Sequence, residues 1–326
     1  MRYHHGMKRP RLAAGLAGAA FLAACAAPPQ RLDVPWRQNI EIGDRALRHG
    51  RLPEAEAALG AALARAETFG PEDARLAFAL DAMGDLRAAQ GDAARAEPLF
   101  RRALAILEKA AGPDAPETTT ALAYLAEACS AQGKQAEGEK LLRRAVASAE
   151  KDPAGRYAEA AARLSDLASL ERALGRGDQA AAAYRRALEV TEAALGPEHR
   201  LVADRLTDLA LFEHDRGRFD EAEPLYRRAL DIKEKLRGPG DAEVAASLND
   251  LALFEEARGL DAAAETLYQK ALDQGERAHG RDSALLLPTL NNYAHLLRRT
   301  KREPRAEALE RRARALERRK AEAPPR

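Results

Sequence analysis

The sequence predicts an all-α fold built as a solenoid, a stack of like helix–turn–helix units. Three observations carry this. The first is a fixed period: the Arg-Arg-Ala-Leu ending of the stretch Gly217–Leu230 recurs as RRAL at Arg101, RRAV at Arg143, RRAL at Arg185 and Arg227, QKAL at Gln269 and RRAR at Arg311. Each start lies 42 residues after the last. The second is the glycine that opens the stretch, which keeps the same step through Gly91, Gly133, Gly175, Gly217 and Gly259. The third is composition, since Ala, Leu, Glu and Arg dominate, aromatics are 5% and no β-branched run occurs. Such residues favour helix, and a sustained period means stacked units that pack on their neighbours.

The first 25 residues stand apart from that stack. Arg2, Lys8, Arg9 and Arg11 precede thirteen uncharged residues, Leu12 to Ala24, and then Cys25. A basic start, a short apolar run and a small-residue site read as a secretory signal. Thirteen residues are too few to cross a bilayer core of about 30 Å as a helix. Met7 serves as a start as well as Met1, because MKRPR and the apolar run form a complete signal. Leu22-Ala23-Ala24-Cys25 resembles the lipobox of bacterial lipoproteins. That resemblance implies cleavage after Ala24, lipidation of Cys25 and, with Ala26 rather than Asp next, sorting to the outer membrane facing the periplasm. Two or more acyl chains anchor stably where one holds marginally. The alternative is an ordinary secretory signal with Cys25 there by chance. Residues 25–35, ending AAPPQRLDVP, read as a tether.

Each later unit reads helix, turn, helix, linker. In the unit from Leu201, Val202, Leu206, Leu209, Ala210 and Leu211/Phe212 fall at helical spacings. Gly217 stops that helix, Asp220 is expected to cap the next, and Pro224 is expected in its first turn. The second helix offers Ala222, Leu225, Tyr226, Ala229, Leu230 and Ile232 as its apolar side. Gly-Pro linkers recur at 70, 112, 196 and 238, with Gly280-Arg281 in step and Asp152-Pro153-Ala154 deviant. Small residues mark close helix approach: Ala94 or Ala96, then Ala136, Ala180, Ala222, Ala264 and Ala306, with Ala103, Ala145, Ala187, Ala229, Ala271 and Ala313 a turn or two later. Cys129 lies on an apolar face and reads as a buried thiol; with Cys25 lipidated, no intramolecular disulfide is available.

This pattern resembles tetratricopeptide repeats, and LNDLALFEEARGLDAAAETLYQKAL at Leu248–Leu272 is similar to the 42-residue variety of kinesin light chains. The resemblance covers about Trp36 to Ala321. It implies a right-handed superhelical solenoid of about seven repeats, at residues 36–69, 74–111, 116–151, 157–195, 200–237, 242–279 and 284–321, with a tail at 322–326. Two departures stand out. The late first-helix aromatic is replaced by Arg87, Cys129, Glu171, Glu213 and Glu255, and the first unit runs one residue out of step until Gly70.

The resemblance also implies a concave groove lined by first helices, in which asparagines of a Leu-Asn-Asn-Leu-Ala segment hold an extended peptide. The matching residues are Asn249 and Asp250, then Asn291 and Asn292. An Asn amide both donates and accepts, so it pairs with a ligand main chain of any sequence. Asp166, Asp208 and Asp250, with Asp204 a turn away, would add a negative stripe for a basic segment. His295 and Arg298 would favour an acidic group at the C-terminal end, and Tyr124 is either a stacking anchor or packing. The plain alternative is that these polar residues solvate an unfilled surface.

Charge and motifs exclude several classes. Charged residues are 32% yet sum to +1, which argues against nucleic acid as a partner by bulk charge. The basic excess is local, eleven Lys/Arg against four Glu from Arg298 to Lys320. It reads as the polar face of a capping unit, or as a site for anionic lipid or cell-wall polymer. His49, His199, His214, His279 and His295 form no metal-ligand pair, no GxSxG elbow occurs, and Gly133-Lys134 precedes Gln135 rather than Ser or Thr. The expectation is a lipid-anchored, non-catalytic adaptor without cofactor or metal, whose groove takes an extended peptide or a helix of a protein partner. An envelope structural protein and an enzyme with a cryptic groove site stand as alternatives. Oligomeric state is left open.

Overall fold

The computed structural model describes residues 33–152, 155–238 and 240–322. The signal, Cys25 and most of the tether lie outside the described residues. Within them the chain forms fourteen α-helices and no strand. The helices are α1 (Asp33–Arg48), α2 (Leu52–Ala66), α3 (Ala74–Ala89), α4 (Ala93–Ala110), α5 (Pro116–Ala131), α6 (Gln135–Ala149) and α7 (Tyr157–Ala173). They continue as α8 (Gly177–Leu195), α9 (Arg200–Asp215), α10 (Phe219–Arg237), α11 (Ala242–Ala257), α12 (Asp261–His279), α13 (Leu287–Arg299) and α14 (Glu303–Glu322). Short 3₁₀ turns follow α2 and precede α13. Helices α1–α7 form one compact unit and α8–α14 a second, divided at Gly175/Arg176. Odd-numbered helices from α1 are first helices of a pair, and even-numbered ones are second helices.

Local chemistry explains the boundaries. Asp73, Asp92 and Asp241 accept backbone N–H bonds at the starts of α3, α4 and α11, the usual capping role of a short acid. Gly217 turns the chain after α9 at φ 72°, where a glycine meets no Cβ penalty. In the last pair Lys301 takes that place at φ 60°, so the turn survives at some strain. Two expectations for α10 are corrected. The residue before the helix is Arg218, with no side-chain cap, and Asp220 sits inside the first turn, where its charge meets the positive helix end instead. Pro224 falls inside the helix rather than in its first turn, because the helix starts at Phe219.

Packing follows a small-against-large rule. Gly43, Gly84, Ala126, Ala168, Ala210, Ala252 and Ala294 stand in one column of the first helices and are all buried. A Cβ on Gly84 would come within 2.5 Å of the Phe100 ring, and one on Gly43 equally close to Leu59. The second-helix column resolves as Ala96, Gly138, Ala180, Ala222, Ala264 and Ala306, all buried. Of the expected alternatives Ala94 or Ala96 the column takes Ala96, and Ala136 is exposed, which corrects one expected member. At Gly138 a Cβ would reach 2.5 Å from the Ser130 hydroxyl, so even alanine is too large there. Ala103, Ala145, Ala187, Ala229, Ala271 and Ala313 are buried.

Ion pairs join the repeats in both directions. The first arginine of the recurring ending reaches forward: Arg143 to Glu171 (2.8 Å), Arg185 to Glu213 (2.9 Å) and Arg227 to Glu255 (3.5 Å). Each acceptor lies 28 residues on and its side chain is at most 4% exposed. The second arginine reaches back: Arg102 to Glu67 (2.7 Å), Arg144 to Glu108 (2.6 Å), Arg228 to Glu192 (2.6 Å) and Arg312 to Glu276 (2.5 Å). The acids that replace the late first-helix aromatic are therefore one half of a ladder. Cys129 occupies the same column in the third pair, where Arg101 turns instead to Glu97 and Glu137, both at 2.6 Å. The thiol is buried, and desolvation pushes its pKa up to about 11, so it is a poor nucleophile.

Candidate functional site

The asparagines and most of the other candidate residues lie in the second unit, on the first helices α9, α11 and α13. Side-chain caps fix the start of α9, of α11 and of the 3₁₀ turn that leads into α13. His199 Nδ1 accepts from Leu201 N (3.1 Å), the Asp241 carboxylate from Glu243 N (2.7 Å) and Ser283 Oγ from Leu285 N (3.2 Å).

Asn249 is 8% exposed, Asn292 is half-buried and Asn291 is exposed. Asn292 Nδ2 donates to Asn249 Oδ1 at 3.2 Å, tying α13 to α11. Beside them Leu253 is 36% exposed and Leu211 half-buried. Further along, His295 Nδ1 lies 3.2 Å from Glu256 Oε1, while Glu256 Oε2 accepts from Tyr268 Oη at 2.9 Å. The site is thus a polar strip with apolar side chains in it. Leu253 and Glu256 carried no sequence signal of their own; reading the 42-residue columns across α9, α11 and α13 would have found them.

The acidic stripe is largely neutralised. Asp208 lies 3.1 Å from Arg205, and Asp204 lies 3.8 Å from Lys233. Asp250 is half-buried. Arg298 is turned to α14, where it bonds Glu310 (2.5 Å) and Glu303 (2.7 Å). In the first unit, Asp166 sits 3.5 Å from Arg163, and Tyr124 is half-buried with its ring 5.6 Å from that of Phe100. The first unit also holds Asp81, in the same column as Asn249. Its pKa is raised well above the usual carboxylate range by desolvation and by Asp85.

His214 lies in the last turn of α9. It packs among the rings of Phe254 (5.5 Å), Phe219 (5.9 Å) and Tyr226 (6.3 Å), with Nδ1 3.3 Å from the Tyr226 hydroxyl. Burial lowers its pKa against the opposing pull of Asp215. The unfolded chain therefore binds this proton more readily. Stability from neutral His214 is present above the ordinary value of 6.5 and is lost as pH falls through the folded value. In urea titrations, wild type is expected to lose stability relative to His214→Phe between pH 7.5 and 5.5. A constant difference between the two would refute this.

One trio has metal-like proximity. Ligand atoms of Glu97, Cys129 and Glu137 lie within 4.8 Å of one another. Both carboxylates already serve cations, since Glu97 accepts from Lys134 (2.5 Å) and Arg101 (2.6 Å), and Glu137 from Arg101 (2.6 Å). The Lys134 and Arg101 bonds hold Glu97 at about 2. The trio is a node of the ion ladder.

A family model described as tetratricopeptide repeat matches residues 40–109, 82–151, 157–235 and 243–319. The chain is a tetratricopeptide-repeat protein. Its fold is similar to that of BtubC (BKLC) from P. vanneervenii, at 24% identity and a TM-score of 0.57 over 72% of this chain and 91% of that one. A putative kinesin light chain with nearly identical TPR-like repeats from Podosopora anserina matches at 23% identity and a TM-score of 0.55, covering 62% of this chain and 98% of that one. Aspartyl phosphate phosphatase F from Bacillus subtilis matches at 14% identity and 0.56, over 87% and 70%. These likenesses show the fold. No curated protein matches the sequence. The fold of this tetratricopeptide-repeat protein is one suited to protein–protein interaction, because stacked first helices present a continuous surface that no single repeat owns.

Proposed function

We propose that this protein is a non-catalytic adaptor, lipid-anchored through Cys25 at the bacterial outer membrane, that holds an extended peptide or a helix of a partner on its first-helix face. The observation that carries the reading is the Asn249–Asn292 bond across two repeats, beside exposed Asn291 and Leu253. Amides at that place pair with a ligand main chain, and Leu253 takes an apolar side chain. The neutralised aspartates favour a segment chosen by backbone and shape over one chosen by strong positive charge. Anchoring rests on the basic, apolar and Leu-Ala-Ala-Cys succession at the start of the sequence.

The basic end supports a cap better than a polymer-binding site. Arg299 bonds Asp261, Arg302 and Arg305 bond Glu265, Arg312 bonds Glu276 and Arg319 bonds Asp282. Those cations are already partnered within the unit.

A crosslinked pulldown from membranes tests the reading. Asn249→Ala/Asn291→Ala is expected to lose the proteins that the parent retains; recovery of the same proteins in equal yield would overturn the adaptor assignment. In the same cells Cys25→Ala is expected in the soluble fraction. Continued membrane retention of that variant would sink the anchor alone.

A further inference from the structure

At Gln269-Lys270 the back-reaching clasp is not formed among the described residues, and a cleft opens there. Arg144, Arg228 and Arg312 reach back to a glutamate of the preceding second helix, and Arg102 to Glu67 just past the end of α2. At Gln269-Lys270 the equivalent pair would be Lys270 with Glu234, 36 residues earlier. Among the described residues neither forms an ion pair. Gln269 donates its amide to Tyr293 Oη (2.8 Å), because Leu297 rather than a glutamate occupies the acceptor column.

The result is an open cleft of about 510 Å³ between α10 and α12. Its floor is apolar, made by Leu230, Leu248, Leu251 and Leu267. The rim is charged and exposed, with Glu234 on α10 and Lys270, Asp273 and Arg277 on α12. Among the described residues none of these four is ion-paired. Arg227, at one end, is held by Glu223 and Glu255.

Wall residues recur about once per turn, as Arg227, Leu230 and Glu234 on one side and Leu267, Lys270, Gln274 and Arg277 on the other. That is the spacing by which one helix presents a seam to another. From Leu267 to Arg277 the wall rises about 15 Å, roughly three turns. An extended segment would lay main-chain polar groups on leucines that offer no partner, whereas a helix satisfies its own.

We propose that this cleft docks one amphipathic helix of a partner protein, its apolar stripe on the four leucines, an acidic flank against α12 and a basic flank against α10. Charge fixes the flanks. On the cleft rim the unpaired charge of α10 is Glu234, while α12 carries Lys270 and Arg277 against Asp273. The site is separate from the first-helix face, and it is the place where the repeat gives up its own closure.

The probe is a fluorescein-labelled peptide of about fourteen residues, near four turns, with a Leu/Ala stripe, Glu along one flank and Arg along the other. Anisotropy against the full chain is expected to show saturable binding. Lys270→Glu, a change at an exposed position, should weaken it about tenfold and improve binding of a peptide with Arg on both flanks. Gln269→Arg/Lys270→Arg, which restores the clasp, should weaken both peptides. Asn249→Ala/Asn291→Ala should bind like the parent. Lack of saturable binding, equal affinity in parent and Lys270→Glu, or loss in the asparagine variant would each overturn the proposal. So would dimers in sedimentation that Lys270→Glu dissolves, which would assign the cleft to a second copy.

Discussion

Ala229→Glu is expected to unfold its repeat and to lower the midpoint of thermal unfolding steeply. Ala229 is 1% exposed on α10, in the column of alanines that lets paired helices meet. A glutamate there brings a carboxylate and two methylenes into a place sized for one methyl group. A buried unpaired charge costs about 3–5 kcal/mol, and overpacking adds about 1–3 kcal/mol. The sum is a large share of the roughly 5–15 kcal/mol that holds an ordinary domain folded. Because each repeat is stabilised by its neighbours, α8 on one side and the α11–α12 pair on the other should loosen with it. Circular dichroism against temperature, with hydrogen exchange to locate the loss, checks this. An unchanged midpoint would show that Ala229 does not face a helix.

The second large effect concerns the buried acid of the ladder. Glu213 is 1% exposed, with Arg185 at 2.9 Å, Arg216 at 3.4 Å and Arg218 at 3.9 Å. Glu213→Lys places a fourth cation among three and should cost about 4 kcal/mol or more, since the buried charge then lacks any partner. Glu213→Leu should be near neutral. Arg185 is half-exposed, and Arg216 and Arg218 keep Asp178 at 2.7 and 2.9 Å, so no cation is left buried and unpaired, which is the condition that makes loss of one partner costly. A leucine variant as damaged as the lysine variant would mean that the acid contributes net stability. Equal, small losses in both would mean that the site opens to solvent. Urea unfolding of the two variants separates these outcomes.

This pair of substitutions bears on how much could be read in advance. Glu171, Glu213 and Glu255 were visible as departures from the family pattern, and so was the Arg-Arg pair. Their relation was not. The step of 28 between Arg185 and Glu213 joins a second helix to the next first helix, and it emerges only when two repeats are laid side by side. Likewise Gln269-Lys270 read as one more variant of the ending, yet its consequence is a cleft between two helices. Asn249 and Asn292 were named as separate candidates 43 residues apart; their hydrogen bond makes them one polar strip. Size alone leaves Ala94 and Ala96 equal and points to Ala136; a helix face turns by about 100° per residue, so two residues separate exposed Ala94 and Ala136 from buried Ala96 and Gly138.

The period, the glycine turns and the helix-favouring composition were enough to specify an all-α stack of paired helices, because these are local properties repeated along the chain. Local rules act within one repeat. Which acid meets which arginine, which alanine faces a helix, whether an aspartate is bare or neutralised, and where a clasp fails to close are relations between repeats. Those depend on the distance and angle at which one helix pair rests on the next, and side-chain contacts set both. The tertiary structure alone decided them.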